Sequence, residues 1–263
     1  MGKLKIGIVV SSGVLLTVPL YLWRISYPLT DWAVIFLAVL APMLFAGFYS
    51  RRKDLLGARY RAAVRKKSWV SKFLRGRIRA TIDSLVFVTF AVPILAWQAL
   101  GTAGPIAPIL VLLCIVASSM SLGFRCWLQR HFHAPFAASW SYALGAGAAA
   151  IVFVPILAWI NWKYVLFPGE FLSLDFLEAV QFGVAEQLPP RRGWIAEILA
   201  LPFAIESAQL WLTAKYGSTM AWVPAVYSIY LALVAFIVAR ASTALASFAG
   251  DALRKSWDES TNV

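Results

Sequence analysis

Two glutamates within one apolar segment, Glu197 and Glu206 in residues 194–212, are the side chains of this sequence best placed to do chemistry. A carboxylate in a segment that can enter a bilayer is costly to desolvate, and such acids typically bind an ion, relay a proton or contact a substrate. Nine residues of ideal helix place the two acids on opposite faces, so they form a pair only if Pro202 kinks the helix. Gln209 shares the face of Glu206, and all three are candidates for an ion or proton relay.

A plainer interpretation competes with that one. The segment can lie in the outer leaflet with both acids solvated, and the cost of burying a carboxylate favours this arrangement. Asp83 is a further relay candidate because it lies just inside another apolar segment. It also falls in the predicted first turn of that helix, after Arg77 and Arg79, where a carboxylate interacts favourably with the helix dipole. We expect Asp83 to cap and orient the helix.

Metal and catalytic chemistry find little support. Cys126, His131 and His133 bring three metal-ligating side chains within eight residues, but a structural zinc site needs about four. We therefore predict no metal site and no cofactor. The sequence contains no G-x-S-x-G, no H-E-x-x-H and no Walker lysine after a glycine-rich loop. No nucleophile or general base stands out among its 2 histidines and 12 acids, so we predict that the protein is not an enzyme.

The composition excludes a soluble globular protein. The chain has 263 residues, is 61% hydrophobic and has a mean hydropathy of +0.74, whereas soluble domains are roughly 45–50% apolar. Apolar runs of about 18 residues or more recur, and each can cross a bilayer core of about 30 Å. Two isolated cysteines imply no disulfide framework. The predicted fold is an all-α, polytopic transmembrane helical bundle.

One strongly basic segment, residues 51–79, orients that bundle. It holds 12 of the 24 Lys and Arg residues and one acid, Asp54. Because it lies between two apolar runs, the positive-inside rule places it in the cytoplasm. We predict that it contacts anionic headgroups or another protein chain, and no nucleic acid, since half of the positive charge is confined to this segment. The contact residues would be Arg51, Arg52, Lys53, Arg59, Arg61, Arg65, Lys66, Lys67, Lys72 and Arg75.

Hydropathy divides the chain into three parts. Residues 1–160 form five predicted spans, at about 6–23, 32–49, 82–100, 106–124 and 136–160, with the basic cytoplasmic loop at 50–81. The first span has no convincing cleavage site and is predicted to be an uncleaved signal anchor. Ala143 and Gly147 in the fifth make a small-xxx-small pair that predicts close helix approach. Residues 161–219 form an outer amphipathic or re-entrant region, and 220–263 hold the last span and a cytoplasmic tail.

The span count depends on residues 194–212. If that segment stays outside or re-enters, the chain has six spans, both termini are cytoplasmic, and 19 basic residues lie inside against 5 outside. If it crosses, there are seven spans and the division is 17 against 7. The positive-inside rule favours six. The bacterial inner membrane is the expected location.

These observations leave two classes of function. The first is a non-enzymatic subunit of a larger membrane assembly for secretion, transport or energy coupling, with lipids and other membrane chains as partners. Few charges within the spans and 12 tryptophans suited to the membrane interface favour it. The alternative is a self-contained small-solute or ion transporter or channel that uses Glu206 in a re-entrant segment.

Overall fold

The computed structural model describes residues 2–63, 76–101, 106–165, 169–187, 193–217, 219–220 and 222–261. Of these residues, 92% are helical and none lies in a strand. The α-helices, in chain order, are α1 (Gly2–Ser26), α2 (Val34–Ala63), α3 (Arg77–Gly101), α4 (Ile106–Leu128), α5 (Ala134–Ile160), α6 (Phe176–Phe182), α7 (Trp194–Gly217), α8 (Trp222–Ala232) and α9 (Val234–Thr261). Short 3-10 turns cover Asp31–Ala33 and Gly169–Leu172, and π turns cover Asn161–Val165 and Gly183–Gln187.

Seven helices within these described ranges are long and apolar enough to cross a membrane. Helices suit such sequences because the hydrocarbon core offers no partner for a free backbone N–H or C=O, so each segment must satisfy its own. This confirms the predicted all-α polytopic bundle. Six of the seven match the predicted spans, and the remaining one is α7, the segment whose path the sequence left open.

The main core joins α1, α2, α3, α4, α5 and α9 through small residues and leucines. Helices approach closely where a glycine faces a neighbour: a Cβ on Gly47 of α2 would overlap the Ala244 carbonyl of α9. The predicted contact at Ala143 and Gly147 is wrong, because a Cβ on Gly147 would meet open space. The close approach in α5 lies at Gly145, where a Cβ would come within 2.6 Å of the Ser121 backbone.

The bundle has two distinct ends. We call the end where α2 carries Arg51 and Arg52 the basic end, and α9 returns to it, since Ser247 lies 3.5 Å from Ser50. At the opposite end the Trp23 indole N–H donates to the Ala96 carbonyl at 3.1 Å. The predicted contact residues Arg61, Arg65, Lys66, Lys67, Lys72 and Arg75 lie outside the residues whose side chains the structure describes.

Helix α7 packs only at the end opposite the basic end, as far as the described residues show. Its first turns contact the ends of α1 and α3 through Ile195 and Phe203, and its last turns contact the chain around Phe171 and Tyr227. The described contacts of α7 thus lie at the end opposite the basic end.

The chain between α5 and α7 is also helical in part. In α6, the Asp175 backbone N–H donates to the Glu178 carboxylate at 3.1 Å, so this acid serves to start the helix. Ala179 then packs in a small cluster with Leu210 and Ala214 of α7. The predicted amphipathic helix is thus present over Phe176–Phe182 and continues as the π turn.

Candidate functional site

Glu206 faces the inside of the molecule and lines a cavity of about 50 Å³. Five elements meet there: the end of α3, the start of α4, the end of α5, the middle of α7 and the junction of α8 with α9. The cavity lining comprises Trp97, Gln98, Gly101, Ile106, Leu157, Asn161, Glu206, Leu231 and Val234. The sequence predicted a candidate relay at Glu206, and in the structure three polar side chains from other elements, Trp97, Gln98 and Asn161, share this cavity with it.

The last long apolar helix is irregular at one residue beside this cavity. Helix α8 ends at Ala232 and α9 begins at Val234, and the two continue as one apolar stretch, Trp222–Arg254. The Leu233 backbone N–H donates to both Ile229 and Tyr230 carbonyls, at 3.2 and 3.1 Å. Leu231 and Val234, on either side of Leu233, line the cavity.

Three polar side chains accompany the carboxylate. The Trp97 indole N–H is shielded from solvent and interacts electrostatically with the Glu206 carboxylate. It forms no well-aligned hydrogen bond with any described residue. Asn161, only 6% exposed, presents its amide from the end of α5. Gln98 adds a second amide. No Lys or Arg is among the residues that line this cavity, so the carboxylate has no basic partner there.

The size of the cavity limits what it can hold. A volume of about 50 Å³ corresponds to roughly three to five water-sized positions. Carboxylate and amide oxygens with a few waters suit a proton or a small hard cation. The space is too small for most organic solutes.

A second cavity and a set of hydroxyls lie between this cavity and the basic end. Gln98 also lines this second cavity, which has a volume of about 70 Å³ and is mostly apolar, with Thr17 and Cys114 among its lining. The Cys114 carbonyl accepts a hydrogen bond from the Ser242 hydroxyl at 2.8 Å. Ser242 lies 2.9 Å from Ser118, and Ser118 lies 2.8 Å from Ser12. These hydroxyls join α1, α4 and α9 within the core.

The other predicted relay residues lie elsewhere. Glu197 is exposed, on a different face of α7 from Glu206, as the helical spacing predicted. Gln209 lines a separate groove between α7 and α8. Asp83 lies 3.5 Å from Arg52 in an ion pair between α3 and α2. Glu206 is therefore alone among the four in facing the polar cavity.

The candidate metal ligands are dispersed. Cys126 is exposed and accepts from the Lys5 ammonium at 3.1 Å, and the His131 ring packs against Trp127. In the described part of the chain, no three His, Cys, Asp or Glu side chains are grouped so as to hold a metal ion.

Sequence reasoning missed the partners of Glu206. Trp97, Gln98 and Asn161 occur near the ends of predicted spans, where Trp and amide side chains are ordinary interface residues. Their one sequence signal is an uncharged polar side chain within or beside an apolar run. Comparisons of the chain with models of protein families, with curated proteins and with solved structures found no match.

Proposed function

We propose that this integral membrane protein conducts or transports a proton or a small cation, with Glu206 as the binding carboxylate. The observation that carries the proposal is that the half-buried Glu206 lines a small, partly open cavity, shared with Trp97, Gln98 and Asn161, at the junction of α8 and α9. The sequence alone favoured a subunit role with a solvated Glu206. The inward position of this side chain favours transport over the subunit role, because acidic residues in the interior of membrane proteins commonly have a function.

Charge explains the choice of ligand. A carboxylate in a small cavity without a basic partner carries an uncompensated negative charge, which is costly away from bulk water. Binding a proton or a cation removes that charge, and release restores it. Asn161 and Gln98 can then coordinate the cation or hold the water that exchanges the proton. Nothing of this requires catalytic chemistry, so the proposed protein is non-enzymatic.

The polar groups beyond the cavity support a route through the bundle. Gln98 lines both the Glu206 cavity and the second cavity, and the hydroxyls of Ser242, Ser118 and Ser12 lie within the same core. These groups are small and mostly hydrogen-bonded to one another, which suits a proton or a partly hydrated ion. We further propose that the basic end is cytoplasmic and that the membrane is a bacterial inner membrane.

Flux measurements on purified protein test the proposal. Protein in proteoliposomes that contain a pH-sensitive dye should move protons, or a monovalent cation, down an imposed gradient. Glu206→Gln, which keeps the shape and removes the charge, should abolish the flux, and Glu206→Asp should retain part of it. The matched control is Glu197→Gln on the same helix, which should leave flux unchanged because that side chain is exposed.

Two results would contradict the proposal. One is a Glu206→Gln protein that folds normally and carries flux at the rate of the original chain. The other is an equal loss of flux in Glu197→Gln, which would assign the effect to surface charge. Circular dichroism and gel filtration on each variant establish that the comparison concerns folded protein.

A second candidate function is the subunit of a membrane assembly, and a groove between α7 and α8 favours it. The groove has a volume of about 670 Å³ and is almost entirely apolar and aromatic, with Leu212, Val223, Val226 and Tyr230 among its lining. A partner's transmembrane helix would fit such a surface. A photo-crosslinking residue at Val226 should then capture one defined membrane protein in cells, whereas the same residue at the exposed Ile151 of α5 should not. Equal capture from both positions would reject the groove as an interface.

A further inference from the structure

A cavity at the basic end is lined by three arginines, and nothing in the proposed role of Glu206 uses it. It has a volume of about 130 Å³ and lies between α2, α5 and α9. Its lining residues are Phe48, Arg51, Arg52, Ser139, Tyr142, Ala143, Arg240 and Thr243. We propose that this cavity binds one tetrahedral oxyanion, a phosphate group carried either by a lipid headgroup or by a free anion.

Arg51 is the central residue of this site. Its Nε donates to the Gly47 carbonyl at 3.1 Å, and its guanidinium lies 4.0 Å from the centre of the Tyr142 ring. The Nη2 group is shielded from solvent and has no hydrogen-bond partner among the described residues. A buried charged donor without a partner is costly, and an oxyanion in the cavity would supply the missing acceptor.

The local charge favours an anion. Arg52 is paired with Asp83, and Asp251 of α9 attracts Arg51 from a distance. In the described part of the chain no acidic side chain is paired with Arg240. Three guanidinium groups thus face two carboxylates, which leaves the cavity positive.

The geometry favours a phosphate-like group over other anions. Guanidinium groups present parallel N–H donors that match the oxygens of a phosphate, and such charge-assisted hydrogen bonds are stronger than neutral ones. The Thr243 hydroxyl donates to the Arg240 carbonyl at 3.0 Å, so the arginines supply the main donors. The cavity volume of about 130 Å³ corresponds to roughly ten water-sized positions. Arg52 and Arg240 are partly exposed and provide a way in.

The fold holds Arg51 in this position. Gly47, one helical turn before it, allows α2 to touch the α9 backbone at Ala244. That contact brings the Arg51 side chain over α5, where Tyr142 covers it. The site therefore depends on three helices that are distant in the sequence, which distinguishes it from general attraction of lipids to the basic segment.

Thermal unfolding in nanodiscs tests the proposal without any transport assay. The chain is placed in nanodiscs of neutral phosphatidylcholine, and inorganic phosphate or sulfate is titrated at constant ionic strength. In a parallel arm the nanodiscs contain phosphatidylglycerol and no added oxyanion. At least one arm should raise Tm in a saturable manner. Stabilisation by the free ions identifies a soluble anion as the source, and stabilisation by phosphatidylglycerol alone identifies the headgroup.

Variants assign the effect to the cavity. Arg240→Gln and Arg51→Gln should each weaken the stabilising interaction by roughly ten-fold or more, since each removes a charged donor. Arg240→Gln is the safer test of the two because that side chain is partly exposed and its loss should not unfold the bundle. The control is Arg130→Gln, an exposed arginine between α4 and α5 that lies outside the cavity. The proposal is overturned if neither arm stabilises the protein, or if Arg130→Gln weakens the effect as much as Arg240→Gln.

Discussion

The Arg52 guanidinium lies 3.5 Å from the Asp83 carboxylate and thereby connects α2 to α3. The two side chains are 40% and 30% exposed, so solvent screens their attraction. The expected first-turn position of Asp83 is wrong, because α3 begins at Arg77 and its first turn contains no acid. Asp83 pairs with Arg52 instead, whereas no Lys or Arg lines the cavity of Glu206.

The first prediction concerns this pair. Asp83→Asn should lower the free energy of unfolding by no more than about 1 kcal/mol, the usual range for exposed ion pairs. It should leave proton or cation flux intact. Chemical denaturation of the detergent-solubilised protein measures the first quantity and the proteoliposome assay the second. A loss of flux in folded Asp83→Asn would make Asp83 part of the relay.

The second prediction is topological. With six spans, reporter fusions after Ser50 and after Lys255 should both indicate the cytoplasm, because α7 packs along one end and α9 returns to the basic end. A fusion after Gly217 should report the outer side. A periplasmic signal at Lys255 would establish seven spans instead.

The third prediction tests helix packing with a matched pair of glycines in α5. Gly145→Ala should destabilise the protein by about 1–3 kcal/mol, because the added Cβ would come within 2.6 Å of the Ser121 backbone. Gly147→Ala should be neutral or slightly stabilising, since the position is open and alanine favours helix by up to about 1 kcal/mol. Thermal unfolding in detergent compares them. Equal destabilisation by both would contradict the α4–α5 contact.

The fourth prediction concerns lipid contact by the basic segment. A peptide covering residues 51–79 contains 12 basic residues and one acid beside Trp69, Phe73 and Leu74. It should bind vesicles with anionic headgroups and dissociate as the salt concentration rises, because each basic residue contributes about 1 kcal/mol at the surface. Vesicle sedimentation measures the binding. Equal, salt-insensitive binding to neutral vesicles would exclude the electrostatic account.

The sequence determined the class of fold and the positions of the long helices. A bilayer core admits only segments that satisfy their own backbone hydrogen bonds, so apolar length alone is a strong signal, and the helices around residues 82–100 and 136–160 follow from it. Charge asymmetry similarly separated the strongly basic segment from the rest of the chain. The sequence also indicated that Glu197 and Glu206 face different directions, because the relative direction of two side chains on one helix depends only on their spacing.

Only the tertiary structure decided which way each face points. Spacing cannot tell whether Glu206 or Glu197 turns inward, since the rotation of α7 is set by its contacts with Trp23, Phe171 and Tyr227. Likewise Gly145 rather than Gly147 approaches a neighbour because α4 lies on that side of α5. Arg51 looked like one of many surface cations, and it is half-buried, with its Nη2 group shielded from solvent, where α2, α5 and α9 meet. Such sites arise from residues far apart in the chain, and no local pattern encodes their meeting.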